Sequence, residues 1–104
     1  MTMNTYYIFF NNLANPLKMN IVAALKEKSL SVLELAEKIK VEQSKLSHAL
    51  TSLRHCSIVE VKQKGKQRIY SLNKETILPM LNILDKHEKK FCGKCRALMS
   101  KEKK

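Results

Sequence analysis

A chain of 104 residues carries one domain's worth of sequence, so a single domain with one modest core is the expectation. Lysine and arginine number 20 against 9 acids, a formal net charge of +11, which directs attention to a polyanionic partner, nucleic acid first. No apolar run approaches the ~20 residues that span a bilayer. The opening "MTMNTYYIFFNN" has no basic leader or cleavage site, and the cysteines number three, so the expectation is a reducing cytoplasm, no membrane and no disulfide framework.

Tyr6, Phe9, Phe10 and Leu13 recur at helical spacing and predict a first helix over residues 4–13. Asn15-Pro16 reads as an N-cap followed by proline at the first helical position. The second helix then runs to about Lys28, with Leu17, Ile21, Val22 and Leu25 inward. Ser29-Leu30-Ser31 breaks that period. Ser31-Val32-Leu33-Glu34 matches a capping box and starts a third helix, which carries Leu35, Ala36 and Ile39 as its stripe and ends near Lys40.

The fourth helix is predicted over residues 43–55. At the helical period, Gln43, Ser44, Ser47, His48 and Thr51 share one polar arc, with Leu46, Leu50 and Leu53 opposite. The polar arc contains no acid, unlike an ordinary solvated face that mixes glutamate with lysine. Short donors and acceptors without carboxylates suit a surface that meets base edges and phosphates.

Beyond Cys56-Ser57 the period becomes two. Val59, Val61 and Ile69 alternate with polar residues around Gly65, predicting a hairpin tipped by that glycine. Lys62, Lys64, Lys66 and Arg68 crowd the tip, where they repel one another until phosphates relieve them. Asn73 is placed to cap a fifth helix, with Pro79 near its first turn. Ile77, Met80, Leu81, Leu84, Phe91 and Cys95 form its stripe, and the helix is expected to reach the mid-90s. Residues 97–104, a basic tail, read as frayed.

The order is helix, helix, helix-turn-helix, basic hairpin, helix: a mainly α (α+β) winged helix-turn-helix domain. At this point "LANPLKMNIV", "SVLELAEKI" with "QSKLSHAL", and "VKQKGKQRIYSL" carry a further signal. Over residues 13–72 the chain resembles the ArsR/SmtB (arsenical-resistance-repressor) family of bacterial and archaeal transcriptional regulators. The three segments look like that family's Leu-Ala-Asp-Pro-x-Arg opening, its helix-turn-helix and its wing.

The resemblance implies a sequence-specific DNA-binding regulator, expected to be a repressor, acting as a homodimer on an inverted repeat of double-stranded DNA. Residues 1–14 and 74–96 would be the dimerisation helices, residues 31–55 the helix-turn-helix and residues 58–72 the wing. Two recognition helices would then lie about one DNA turn apart. Carried over by position, the DNA-binding set is Gln43, Ser44, Lys45, Ser47, His48 and Thr51, with Lys64, Lys66 and Arg68 in the wing. His48 stands where the family often has arginine. The dimer interface would draw on Tyr6, Phe9, Phe10, Leu13, Leu81, Leu84 and Phe91, which are more apolar surface than a monomer of this size readily covers.

Many members of that family release DNA on binding metal. Its thiolate site at the start of the third helix corresponds here to Ser31 and Leu33. Of its last-helix site only Asp85-Lys86-His87 has a counterpart. What remains is His87 with Cys92-Gly93-Lys94-Cys95. A Cys-x-x-Cys pair flanked by cations can hold zinc or another thiophilic metal, form a redox couple, or simply pack, and all three readings stay open. Cys56 is expected to fill a gap after the fourth helix. No Ser/His/Asp set, Gly-rich phosphate loop or paired carboxylates occur, so an enzyme is not expected. A winged-helix protein-interaction adaptor is the competing reading.

Overall fold

The computed structural model describes residues 3–91. These residues fall into two compact units, one ending at Asn73 and the other beginning at Lys74. The first holds α1 (Met3–Leu13), α2 (Pro16–Glu27), β1 (Leu30–Ser31), α3 (Val32–Ile39), α4 (Gln43–His55), β2 (Val59–Lys64) and β3 (Gln67–Leu72). The second holds α5 (Ile77–Phe91). Cys92, Cys95 and the basic tail of residues 97–104 lie outside the described residues.

Local chemistry sets the helix boundaries. Asn15 is extended (φ −149°), its side-chain oxygen accepts the Lys18 N–H at 3.1 Å, and Pro16 occupies the first turn where its missing N–H costs nothing. Ser31 and Glu34 form a complete capping box. The Ser31 hydroxyl oxygen accepts the Glu34 N–H at 3.2 Å, and the Glu34 carboxylate accepts the Ser31 N–H at 2.9 Å. Those bonds hold the Glu34 carboxyl below its ordinary pKa of 4.5, the Ser31 backbone N–H being the largest cause. Helix α3 ends where Lys40 turns left-handed (φ 57°) and donates its N–H to the Ala36 carbonyl.

The core of the first unit lies among α2, α3, α4 and the sheet. Ile21, Leu35, Leu46, Leu50, Leu53 and Ile58 are its fully buried side chains. Leu46, Leu50 and Leu53 all come from the dry side of α4, as their spacing predicts. Leu17 and Ile39, expected to face inward, are half-buried.

The sheet has three antiparallel strands in the order β1-β3-β2. Strand β1 was not expected from the sequence. It has two residues, Leu30 opposite Tyr70 and Ser31 opposite Ile69, and two residues cannot display a period. Ser31 thus ends a strand and caps a helix at once, fastening the hairpin to the start of α3. The alternation of β3 also differs from expectation. Tyr70 and Leu72 are the buried residues, opposite Val61 and Val59, while Ile69 stands on the other face and is half-buried.

Between the strands, Gly65 has φ +60° and Lys66 does not share that sign, the pattern of a two-residue type II′ hairpin with glycine first. Asn73 does not cap α5, because the fifth helix begins only at Ile77, with Pro79 in its first turn. The Asn73 side chain donates to the Ser57 carbonyl at 2.9 Å, pinning a residue whose φ of 55° is unfavourable for serine.

Two stability outcomes follow. Ser31→Ala removes the cap of α3 and is expected to cost about 1 kcal/mol, read by urea denaturation. The Glu34 part of the box, carried by a depressed carboxyl, is fully present above pH 4.5 and is lost as pH falls through the lower folded-state value. The penalty of Glu34→Ala, which removes that carboxylate, therefore shrinks in acid. Gly65→Ala meets no atom within 4 Å, so its cost is conformational only, about 1 kcal/mol from the left-handed backbone; Gly65→Asn, better tolerated there, should cost less in the same assay.

Candidate nucleic-acid interface

Burying Leu46, Leu50 and Leu53 turns the opposite side of α4 outward. Gln43, Ser44, Lys45, Ser47, His48 and Thr51 are all exposed, and no Asp or Glu occurs between Gln43 and His55. The nearest acid is Glu42, the residue before the helix, which makes no side-chain capping bond. The Thr51 hydroxyl donates to the Ser47 carbonyl at 2.9 Å. Its proton is thereby committed to its own helix, leaving its lone pairs facing solvent.

The wing approaches this helix across an open groove of about 370 Å³. One wall comes from α4 with Gln43, Ser47, Thr51 and Arg54, and the other from the hairpin with Lys66, Gln67, Arg68 and Tyr70. The floor at one end is the start of α3, Ser31 to Leu33. Among the described residues no carboxylate lines it. Strand register explains the position of Arg68. It is two residues from buried Tyr70, so it continues the body-facing side of β3 beyond the core.

The structure therefore divides the residues singled out from the sequence. Gln43, Ser47, Thr51, Lys66 and Arg68 share the groove, while Ser44, Lys45, His48 and Lys64 do not line it. Arg54 and Gln67 do line it and escaped the sequence reading. Arg54 continues the spacing of 43, 47 and 51 by another turn, so the helical period itself contained the signal. For Gln67 the signal was its place directly after the hairpin turn.

A half-buried polar junction fixes α4 from behind. The Asn12 amide donates to the Ser52 carbonyl at 3.0 Å and to the Cys56 sulfur at 3.1 Å. The Ser52 hydroxyl donates to Asn12 Oδ1 at 2.8 Å, and the Lys18 ammonium donates to Asn12 Oδ1 and, at 3.0 Å, to Ser52 Oγ. Half-buried Cys56, at the turn after α4, thus acts as a hydrogen-bond acceptor. This junction ties α1 and α2 to the C-terminal half of α4.

On α1, Tyr6, Tyr7, Ile8 and Phe10 are exposed, whereas Leu13 is buried within the first unit and contributes to its own core. Phe9 is half-buried and packs edge-on against Phe10 at 5.3 Å. On α5, Ile83, Leu84 and Phe91 are exposed and Leu81 is half-buried. His87 is exposed, its ring 5.1 Å from that of Phe91. Among the described residues no three His, Cys, Asp or Glu side chains converge as metal ligands.

Residues 15–61 match the family model described as "Bacterial regulatory protein, arsR family". The chain is 38% identical over 64 residues to a transcriptional repressor SmtB homolog of Synechocystis, covering 62% of this chain and 48% of that protein. It is 36% identical over 70 residues to the transcriptional regulator NmtR of Mycobacterium tuberculosis, covering 67% and 58%. The chain thus spans about half the length of these relatives. A third, the HTH-type transcriptional regulator Rv0081 of M. tuberculosis, is 34% identical over 79 residues, covering 75% of this chain and 69% of that protein. The crystal structure of Rv0081 superposes with a TM-score of 0.77 over 94% of this chain and 93% of that one, at 29% identity.

Proposed function

This chain belongs to the ArsR family of bacterial regulatory proteins, and on that ground we propose that it is a DNA-binding transcriptional regulator without enzymatic activity. It acts as a homodimer on an inverted-repeat operator in the cytoplasm. The SmtB homolog's description as a repressor supports repression as the direction of control. The observation that carries the reading is the acid-free outer face of α4 beside a groove whose opposite wall supplies Lys66 and Arg68. Cations gathered without carboxylates destabilise a free protein slightly and gain when duplex phosphates replace condensed counterions.

In this reading α4 enters the major groove, with Gln43, Ser44, Lys45, Ser47, His48 and Thr51 as its contact residues. The hairpin lies along the flanking backbone with Lys64, Lys66 and Arg68. An adaptor that docks proteins would gain little from such a surface, since it offers one sign of charge and no apolar anchor beyond Leu33. The apolar residues left uncovered on α1 and α5, notably Tyr6, Phe10, Leu84 and Phe91, support pairing of two copies through their terminal helices. His87 with Cys92 and Cys95 remains the thiol set that could take a soft metal; its test is zinc titration followed by mass spectrometry on the parent and on a Cys92/Cys95 double serine variant.

Two outcomes test the main reading. Lys64→Gln, Lys66→Gln and Arg68→Gln combined should weaken duplex binding and flatten the plot of log affinity against log salt, by about 0.9 for each phosphate no longer neutralised; an unchanged slope removes the wing from the interface. Sedimentation should show a dimer, and Phe10→Ser with Leu84→Ser should shift it toward monomer. A parent protein that sediments as a monomer overturns the symmetric arrangement.

A further inference from the structure

The outward side of α4 consists of two stripes with different surroundings. Gln43, Ser47, Thr51 and Arg54 lie at intervals of four, four and three residues, the spacing of one helical face. All four line the groove against the hairpin. Ser44, Lys45 and His48 form the neighbouring stripe, which opens directly to solvent. The residues alone place both stripes on one recognition face, and the groove separates them.

Three features show what the groove can hold. It occupies about 370 Å³, roughly a dozen waters' worth of space. That admits a phosphate with its sugars and excludes a duplex, whose major groove alone is about 12 Å across. Its charge is all of one sign, from Arg54 on the helix and Lys66 and Arg68 on the hairpin. At the α3 N-terminus the Glu34 carboxylate accepts the Ser31 N–H and offsets part of the attraction that helix end would exert on an anion. Among the described residues the Arg54 guanidinium has neither an ion-pair nor a hydrogen-bond partner, so its five donors are uncommitted.

We propose that the groove between α4 and the hairpin seats the phosphodiester backbone of one DNA strand, anchored by Arg54, and that base reading falls to the adjoining stripe of Ser44, Lys45 and His48. The assignment rests on the DNA-binding reading above. It makes Gln43, Ser47 and Thr51 positioning residues. It also gives the forked guanidinium of Arg54 a task that a lysine ammonium performs less well, since two parallel bonds to phosphate oxygens require the planar fork.

The experiment measures binding of the full chain to an operator duplex and to duplexes with single base-pair changes, each across a salt series. For Arg54→Gln the expected result is an affinity decrease of about tenfold or more that is equal for every duplex. The salt slope should fall by about 0.9 per bound protomer, and the order of preference among duplexes should stay unchanged. His48→Ala should reorder the preferences and leave the slope alone. Arg54→Lys should keep the slope and recover only part of the affinity, which excludes misfolding as the cause of the glutamine phenotype. A change in base preference with Arg54→Gln, or an unaltered slope, overturns the assignment while duplex binding by the parent stands. A parent that binds no duplex in dilute buffer overturns the DNA reading, and this site with it.

Discussion

Burial of three leucines from one side of α4 is the constraint on which the rest of this molecule depends. Leu46, Leu50 and Leu53 are completely enclosed, and each would cost about 2–5 kcal/mol to truncate to alanine. A rotation of α4 about its axis by even one residue would expose one of them. The direction in which Gln43, Ser47 and His48 point is therefore set by the core, not by those residues themselves. A surface helix with weak caps of its own, such as Glu42 offers, can still present side chains with precision if its dry side allows only one seating.

The second fixed element is the hairpin. A two-stranded ribbon alone is marginal in water, yet a wing must hold its tip at a set distance from α4. Pairing of Leu30 and Ser31 with Tyr70 and Ile69 provides the third strand. Because Ser31 also caps α3, the wing, the first helix of the helix-turn-helix motif and the groove floor share one anchoring residue. Behind α4, the junction of Asn12, Lys18 and Ser52 supplies a polar counterpart to the leucine seam. Lys18 stands where the resembled family places arginine. Its ammonium still bridges α2 to α4, so here the charge and reach of the side chain suffice without the fork.

How much of this could be read from residues alone follows from the range of each signal. The α4 boundaries, the Ser31–Glu34 box and the Asn15-Pro16 start are local: their causes lie within four residues, and they were legible. The two-residue strand β1 was not, because its pairing partner is some forty residues away and its own length shows no period. Asn73 carried a misleading local signal. An asparagine shortly before a helix resembles a cap, but here its side chain serves the left-handed Ser57 sixteen positions earlier. Most of the groove was half-legible. Its cations were visible as a cluster, but which of them face α4 depends on strand register, and register is fixed by Tyr70 and Leu72 entering the core rather than by the charges.

Register also bears on why the groove is read as a binding site and not as a solvated edge. Acids are tolerated on this hairpin. Glu60 sits on β2 opposite Ser71, on the face away from Val59 and Val61. A stability-driven sequence would place one beside Arg68 or Arg54, where it would gain a pair and relieve repulsion. Among the described residues no carboxylate lines the groove. Exposed pairs are worth only about 0–1 kcal/mol, so leaving them out costs folding little. For the proposed binding the same omission matters more, because any carboxylate between α4 and the hairpin would repel an entering DNA backbone and would occupy donors otherwise open to phosphate. The asymmetry between those two magnitudes is what the proposed role requires: the free protein tolerates the unpaired cations, and a polyanion entering the groove would meet all of them.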